Sequence, residues 1–415
     1  MVKTIRKNTF WETKIGIIPK DWRIVSLDET STLHARIGWQ GLTTDEYRTV
    51  GKFKLVSGTN FTNGKINWET CNYIDKYRFE QDKNIQLRNE DVLVTKDGSI
   101  GKIAYVEMDN EKATLNSGVF VVRPKRNTYY PKFMYYIFAS DYFIEFLNKL
   151  TAGSTIVHLY QKDFINFKYP LPSMKEQQKI ATALSDMDDL IESLEKIIEK
   201  KKKIKQGTMQ QLLTGEKRLP GFVGEWTTKK IGDFCTTYSG GTPSTKNPKY
   251  YNGDIPWITS QELNRSRIYK VDYRISKKGL EESSARLIKE DTLLLAMYGA
   301  TAGISSISKI KGAINQAILA ILPEDASSVY LYYLLTYLKK DIVSKYTQGG
   351  QPNLSNNIIR LLELNLPNLR EQQAIAEILS DMDAEIEALE EKLEKYKKLK
   401  EGMMQELLTG RIRLV

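Results

Sequence analysis

Two histidines, His34 and His158, and two cysteines, Cys71 and Cys235, are the chain's whole supply of imidazole and thiol. None stands at metal-ligand spacing from another. Two cysteines in separate stretches make neither a zinc knuckle nor a disulfide framework, which fits a cytoplasmic compartment. No Gly-x-x-x-x-Gly-Lys-Ser/Thr occurs, so a P-loop is unsupported, and Ser239-Gly240-Gly241-Thr242 lacks dinucleotide-binding spacing. What is plentiful is a different chemistry. Asn, Gln, Arg and Lys on Gly-rich loops can hydrogen-bond base edges, while Gly and Ser let backbone N–H groups approach phosphate. In the first half the candidates are Arg36, Trp39, Gln40, Arg48, Asn60, Asn63, Lys65, Lys96, Ser99, Lys102, Thr155, His158 and Lys162. In the second they are Thr242, Ser244, Lys246, Lys249, Gln261, Asn264, Arg265, Arg267, Tyr298, Thr301, Gln348, Gln351 and Asn353.

Charge agrees with a polyanionic partner. The net charge is +10. Residues 1–170 carry 25 Lys/Arg against 19 Asp/Glu, and residues 220–365 carry 18 against 13, whereas residues 366–415 carry 8 against 11. The excess therefore sits on two globular stretches. Composition is otherwise ordinary for a folded chain, 41% hydrophobic and 27% charged, and length predicts two or three domains. The longest apolar runs, such as Leu293–Met297, are too short to span a bilayer, and Met1–Phe10 does not read as a signal peptide.

The elements that must position these loops follow one order twice. Trp22 and Trp226, read as core anchors, each precede a predicted short helix. Gly-rich stretches (38–51, 239–253) and strand-like segments (53–57, 255–260) come next. Acid-led apolar strands then run into glycine turns, Asp91 to Gly98 and Gly101, and Asp291 to Gly299 and Gly303. Asn116 and Asn315 precede apolar strands ending at Pro124 and Pro323, and aromatic helices follow at 133–138 and 330–337. Tyrosines 129–136 read as core. The pattern predicts α/β (α+β) globules with a largely β core.

Residues 171–219 and 366–414 are one segment written twice, identical at 30 of 49 positions without a gap. Each copy opens on a capping-box signal, Ser173 with Glu176 and Asn368 with Glu371. Each closes at a glycine suited to the left-handed C′ position, Gly215 and Gly410. No proline intervenes, so a rod of roughly 60 Å is predicted. Apolar residues step by 4-3-4-3 as in a coiled-coil seam: Ile180, Leu184, Met187, Ile191, Leu194 and Ile198 in one, Ile375, Leu379, Met382, Ile386, Leu389, Leu393 and Tyr396 in the other. Matched length and seam predict that the two helices pair with each other, antiparallel and with a pseudo-two-fold. The other reading is that each seals its own globule or drives oligomerisation. The Lys200–Lys203 run reads as a solvated face. The predicted segments are 1–170, 171–219, 220–365 and 366–415.

This arrangement closely resembles the specificity subunit of type I restriction–modification systems, over essentially the whole chain. The residues that carry the resemblance are Leu-Pro-x-x-x-Glu-Gln-Gln-x-Ile-Ala at 171–181 and 366–376, and Leu-Leu-Thr-Gly at 212–215 and 407–410. The resemblance implies two target recognition domains, each reading half of an asymmetric, interrupted DNA sequence, with the coiled coil setting the spacer. It implies methylation and restriction subunits as partners. S-adenosylmethionine, ATP and Mg would sit on those subunits, and this chain would bind no cofactor and catalyse nothing. Two other classes fit parts of the sequence. One is a self-contained methyltransferase or nuclease with divergent motifs, to which Asn247-Pro248-Lys249-Tyr250 and Glu199-Lys200-Lys201 are weak pointers, read here as a turn and a mid-helix stretch. The other is a coiled-coil scaffold that binds DNA without sequence preference.

Overall fold

A computed structural model describes residues 2–3, 10–151, 158–348 and 351–414, apart from a few side chains among them. It divides into two compact units, Met1–Leu194 with Lys392–Val415, and Glu195–Glu391. The sequence suggested four segments in series. Each unit takes the first half of one long helix and the second half of the other.

In the first unit a six-stranded sheet runs in the order 31–34, 119–124, 92–95, 103–105, 65–66, 61–62. A smaller sheet, 113–115, 53–56, 72–74, packs beside it. The second unit repeats this plan. Its larger sheet runs 235–239, 318–323, 293–296, 305–308, 267–268, and its smaller one 274–275, 251–258, 312–314, 286–288. The central strands Val92–Thr95 and Leu293–Ala296 are buried on both faces, as their unbroken apolar runs require. Parallel pairs recur at matching places, Tyr105 with Lys65 and Arg267 with Ile307. The apolar strands do end at Pro124 and Pro323, where the missing N–H suits a strand end.

One expectation fails in both units. The residues after Trp22 and Trp226 form strands, Arg23–Ser26 and Thr227–Lys230, before helices of four residues. They pair with Lys168–Leu171 and Glu363–Leu366, so a distant partner overrides the local helical pattern.

The long helices span Met174–Leu213 and Leu369–Leu408, 40 residues each. Gly215 and Gly410 take φ of +75° and +69°, the left-handed closure predicted for them. Within the first unit Ile180, Ala181 and Leu184 share a core with Leu407 and Leu408 and with the aromatic helix Pro131–Phe138. Within the second, Ile375, Ala376 and Leu379 share a core with Met209, Leu212, Leu213 and the helix Ser328–Tyr346. A leucine as fully buried as Leu184 or Leu379 contributes about 2 kcal/mol. The helices run antiparallel in both units. Asp188 pairs with Lys400 at 2.5 Å in one, and in the other Lys201 pairs with Glu385 at 2.7 Å and Lys202 with Glu390 at 2.6 Å. The lysine run is thus partly engaged across the helix pair rather than merely solvated. The first turns of the seams serve the globular cores as well, so each helix both seals a globule and pairs with its counterpart.

The repeated Glu-Gln-Gln has a visible purpose. Glu176 and Glu371 are buried and bind arginines from the end of the other repeat. Arg413 grips Glu176 through Nε and through Nη2 at 2.7 Å, and Arg218 grips Glu371 at 2.5 and 2.6 Å. The capping boxes are therefore half formed. Ser173 and Asn368 accept from the backbone of Glu176 and Glu371, but each glutamate carboxylate is drawn to its arginine. Gln177 accepts from the Tyr130 N–H at 2.8 Å and donates to the Pro172 carbonyl at 2.9 Å, and Gln372 does the same with Ser327 and Pro367 at 3.0 and 2.9 Å. Among the described residues, no helix is long and apolar enough to cross a membrane.

Candidate nucleic-acid interface

In each unit three loops are tied together at one end of the central strand. In the first unit the strand Val92–Thr95 runs into a glycine turn. The Lys96 N–H donates to the Gly118 carbonyl at 2.9 Å, and its carbonyl accepts from the Leu159 N–H at 2.8 Å. In the second unit Met297 takes the place of Lys96, donating to Ala317 and accepting from Leu354, both at 2.8 Å. Asn116 Oδ1 accepts from the Gly118 N–H at 3.0 Å, and Asn315 Oδ1 from the Ala317 N–H at 3.1 Å, so each asparagine shapes its own loop. The turns close by matching bonds, Gly101 N–H to the Thr95 carbonyl at 3.0 Å and Gly303 N–H to the Ala296 carbonyl at 2.8 Å. Gly98 and Gly299 both sit at φ +70°, with no atom within 4 Å of where a Cβ would stand. That conformation favours glycine and leaves the backbone open to close approach from outside.

On this shared frame the side chains differ. Asp97 and His158 face each other across the first frame in an isolated bridge, with His158 Nδ1 2.5 Å from Asp97 Oδ1. Tyr298 and Asn353 occupy the corresponding bridge in the second, both exposed. The loop tips Ser117 and Gln316 are exposed at equivalent places, and Gln316 hydrogen-bonds Thr242.

Of the residues proposed from sequence, Lys96, Ser99 and His158 gather at the first frame, and Tyr298, Thr301, Asn353 and Thr242 at the second. Lys102 and Lys162 are exposed, and Asn63 is an exposed turn residue at φ +50°. Ser244, Lys246, Lys249, Gln261 and Asn264 are exposed on other loops, as is Arg265, which pairs with Glu262. Arg48 is exposed beside Asp75. Thr155 lies outside the described residues, as do the side chains of Trp39, Gln348 and Gln351.

Three candidates, Arg36, Gln40 and Asn60, need correcting. Arg36 is 1% exposed, and its Nε donates to the Leu115 carbonyl at 3.0 Å. Burial lowers its pKa from the usual arginine value. Gln40 is buried beside it, its carbonyl accepting from Arg36. Asn60 is buried too, bonded to the Ser57 N–H and the Thr70 carbonyl. These three hold loops from inside. Lys65 is braced against the first long helix by Glu192 at 2.8 Å, and this bond raises its pKa. Arg267 lies over the Tyr332 ring at 4.8 Å. Sequence reasoning missed Asp97, Ser117 and Gln316. Their signal was positional, since each flanks a turn glycine or turn asparagine already singled out.

Among the described residues no group of His, Cys, Asp and Glu could hold a metal ion. Burial pushes the Cys71 thiol up to about 11 and Cys235 to about 12, values that suit packing rather than attack. Asn247 caps the 3₁₀ turn Pro248–Tyr250, and Glu199 pairs with Lys203 on the helix surface.

Comparison with known proteins bears on what such frames do. The family described as type I restriction modification DNA specificity domain matches residues 19–206 and 224–398. The MjaVIII specificity subunit of a type I restriction enzyme from Methanocaldococcus jannaschii is 28% identical over 80% of this chain and 81% of its own length. The MjaIX specificity subunit from the same organism is 22% identical over 100% of this chain and 99% of its own. Among solved structures, the S subunit of a type I restriction–modification system from M. genitalium aligns with a TM-score of 0.62, at 16% identity, over 93% of this chain and 96% of that one.

Proposed function

The chain belongs to the type I restriction–modification DNA specificity family, and we propose that its two units each read one half of an asymmetric, interrupted duplex sequence. In doing so the chain directs methylation and restriction subunits to that sequence. The observation that carries this reading is the loop frame built twice from the same backbone bonds and furnished with different side chains. Backbone-identical frames supply equivalent docking, and unlike side chains supply unlike base preferences. The excess positive charge on the two globular stretches supplies the sequence-independent part of the affinity. A scaffold without sequence preference would not need two differently furnished frames.

The chain's own share is address rather than catalysis. S-adenosylmethionine, ATP and Mg belong to the partner subunits, and the complex works in the cytoplasm. The paired helices set the spacer and carry the docking surface for the methylation subunits. Two observations support that role for the helices. Gly207 and Gly402 take the same position in the two repeats, within the last two turns of each helix, with no atom within 4 Å of a would-be Cβ. Each costs a helix about 1 kcal/mol relative to alanine, and one turn away Ile204 and Leu399 are nearly half exposed.

Single-molecule sequencing of DNA from cells expressing this chain with its cognate methylation subunit, against that subunit alone, tests the reading. A methylated, asymmetric two-part motif present only with both is the expected result. Methylation independent of this chain, or modification of DNA by the purified chain with S-adenosylmethionine, would sink it.

A further inference from the structure

Position for position, the two frames offer a comparison that singles out one pair of side chains. The bonds Lys96–Gly118 and Lys96–Leu159 in the first unit have exact backbone counterparts in Met297–Ala317 and Met297–Leu354, all between 2.8 and 2.9 Å. Leu159 and Leu354, next to the bridges, are both buried, at 2% and 0% exposure, and anchor the segment that carries the outer residue. The frame therefore holds the Cα atoms of residues 97 and 158, and of 298 and 353, in the same relation to the central strand. What it presents there is not the same.

We propose that the bridged pairs Asp97–His158 and Tyr298–Asn353 are the specificity-determining positions of their units, each pair setting the base accepted at one equivalent position of its half-site. The proposal rests on the DNA-reading function argued above. His158 is about half exposed and Asp97 about one third. Asp97 occupies Nδ1 and fixes the ring, so Nε2 is left as a single oriented polar atom for an outside partner. Asn353 instead carries an amide, a donor beside an acceptor, which matches the N6 and N7 edge of adenine. Tyr298, 40% exposed, adds a ring face and a hydroxyl. The open glycines 98 and 299 follow Asp97 and Tyr298 directly, so a duplex can come close to this spot without meeting a Cβ. Lys96, Ser99 and Thr301 surround the pairs without being bridged; they fit backbone contact, which positions but does not discriminate.

Transplanting one pair tests the proposal. The double variant D97Y/H158N, in the full chain with its cognate methylation subunit, is to be compared with the unaltered chain by methylation mapping and by selection from a duplex library randomised in one half-site. The expected result is a change of base preference of about 10-fold or more at one position of one half-site, with the other half and the spacer as before. N353A, in the other unit, should relax one position of the other half by a similar factor, and it decides the question should the double variant not fold. An unchanged motif at unchanged affinity overturns the proposal. So does a uniform loss over all sequences, the signature of a phosphate contact or a loop brace. Should the unaltered chain itself direct no two-part motif, the function is wrong rather than the assignment of these residues.

Discussion

Arg413 in the first unit and Arg218 in the second stand at the same place in the repeat and hold the same glutamate of the other copy, Glu176 and Glu371. Their remaining contacts differ. Arg413 also binds Asp21, through Nη1 at 2.9 Å and Nη2 at 2.8 Å, while Arg218 gives Nη1 to the Gly224 carbonyl at 2.9 Å. Each guanidinium lies over a tryptophan, at 5.4 Å from the Trp22 ring and 5.6 Å from Trp226. Trp22 donates its Nε1–H to Glu176 at 3.2 Å, whereas the buried Nε1 of Trp226 has no partner among the described residues. The helical repeat thus fixes one ion pair per unit, and the globule decides how many further bonds are made around it. With two carboxylates on one arginine, the first joint is expected to be the stronger and the more sensitive to acid.

That comparison can be broken most easily at the arginines. R413A leaves Glu176 buried without its counter-charge and should cost about 3–5 kcal/mol. R218A should cost less, because Arg218 is more exposed and makes fewer bonds. Denaturant unfolding followed by hydrogen exchange in each unit would show both, and equal losses would mean that Asp21 adds nothing.

A smaller and symmetric effect is expected one step along the helices. Tyr136 donates its hydroxyl to Asp188 at 2.8 Å and Tyr333 to Asp383 at 2.7 Å, and each aspartate also holds a lysine of the facing helix, Lys400 or Lys205. Burial raises the pKa of both phenols, so both remain donors. Y136F and Y333F should each lose about 1 kcal/mol, and a marked difference between them would show that the units are not built alike at this point.

The smallest effect is acid sensitivity. The bond to Arg413 lowers the pKa of Asp21 below the ordinary carboxylate value. A lowered folded-state pKa stabilises fully above the unfolded value and is lost as pH falls through the folded one. As pH falls through the carboxylate range the first unit should therefore lose more stability than the second from this source, and D21N should remove that difference. Asp21 is two-thirds exposed, so the effect should stay below about 1 kcal/mol.

Much of this was legible in the residues. The repeat, the long helices to within a residue at their ends, the strands that stop at Pro124 and Pro323, and the tyrosine-rich core helices all follow from local pattern. What was not legible depended on partners far along the chain. Arg23–Ser26 reads as helix until Lys168–Leu171 lies beside it. Glu176 reads as half of a capping box until Arg413, 237 residues later, takes its carboxylate. Polar loop residues show the same limit. Arg36 and Asn60 are the right types to touch DNA but turn inward to bond backbone carbonyls, while Asp97, beside a turn glycine, stays partly exposed and bonds His158. Residue type says what a loop can bond, and packing says on which side.

The joints also impose an order of manufacture. Everything in the second unit lies between Glu195 and Glu391, so a ribosome has delivered all of it before the helical turns from Lys392 onward emerge. The first unit was begun earlier but waits for those turns, because Leu407 and Leu408 complete the wall that includes Ile180 and Leu184. During that interval the half made first is the half still open, its apolar face uncovered in the nascent chain.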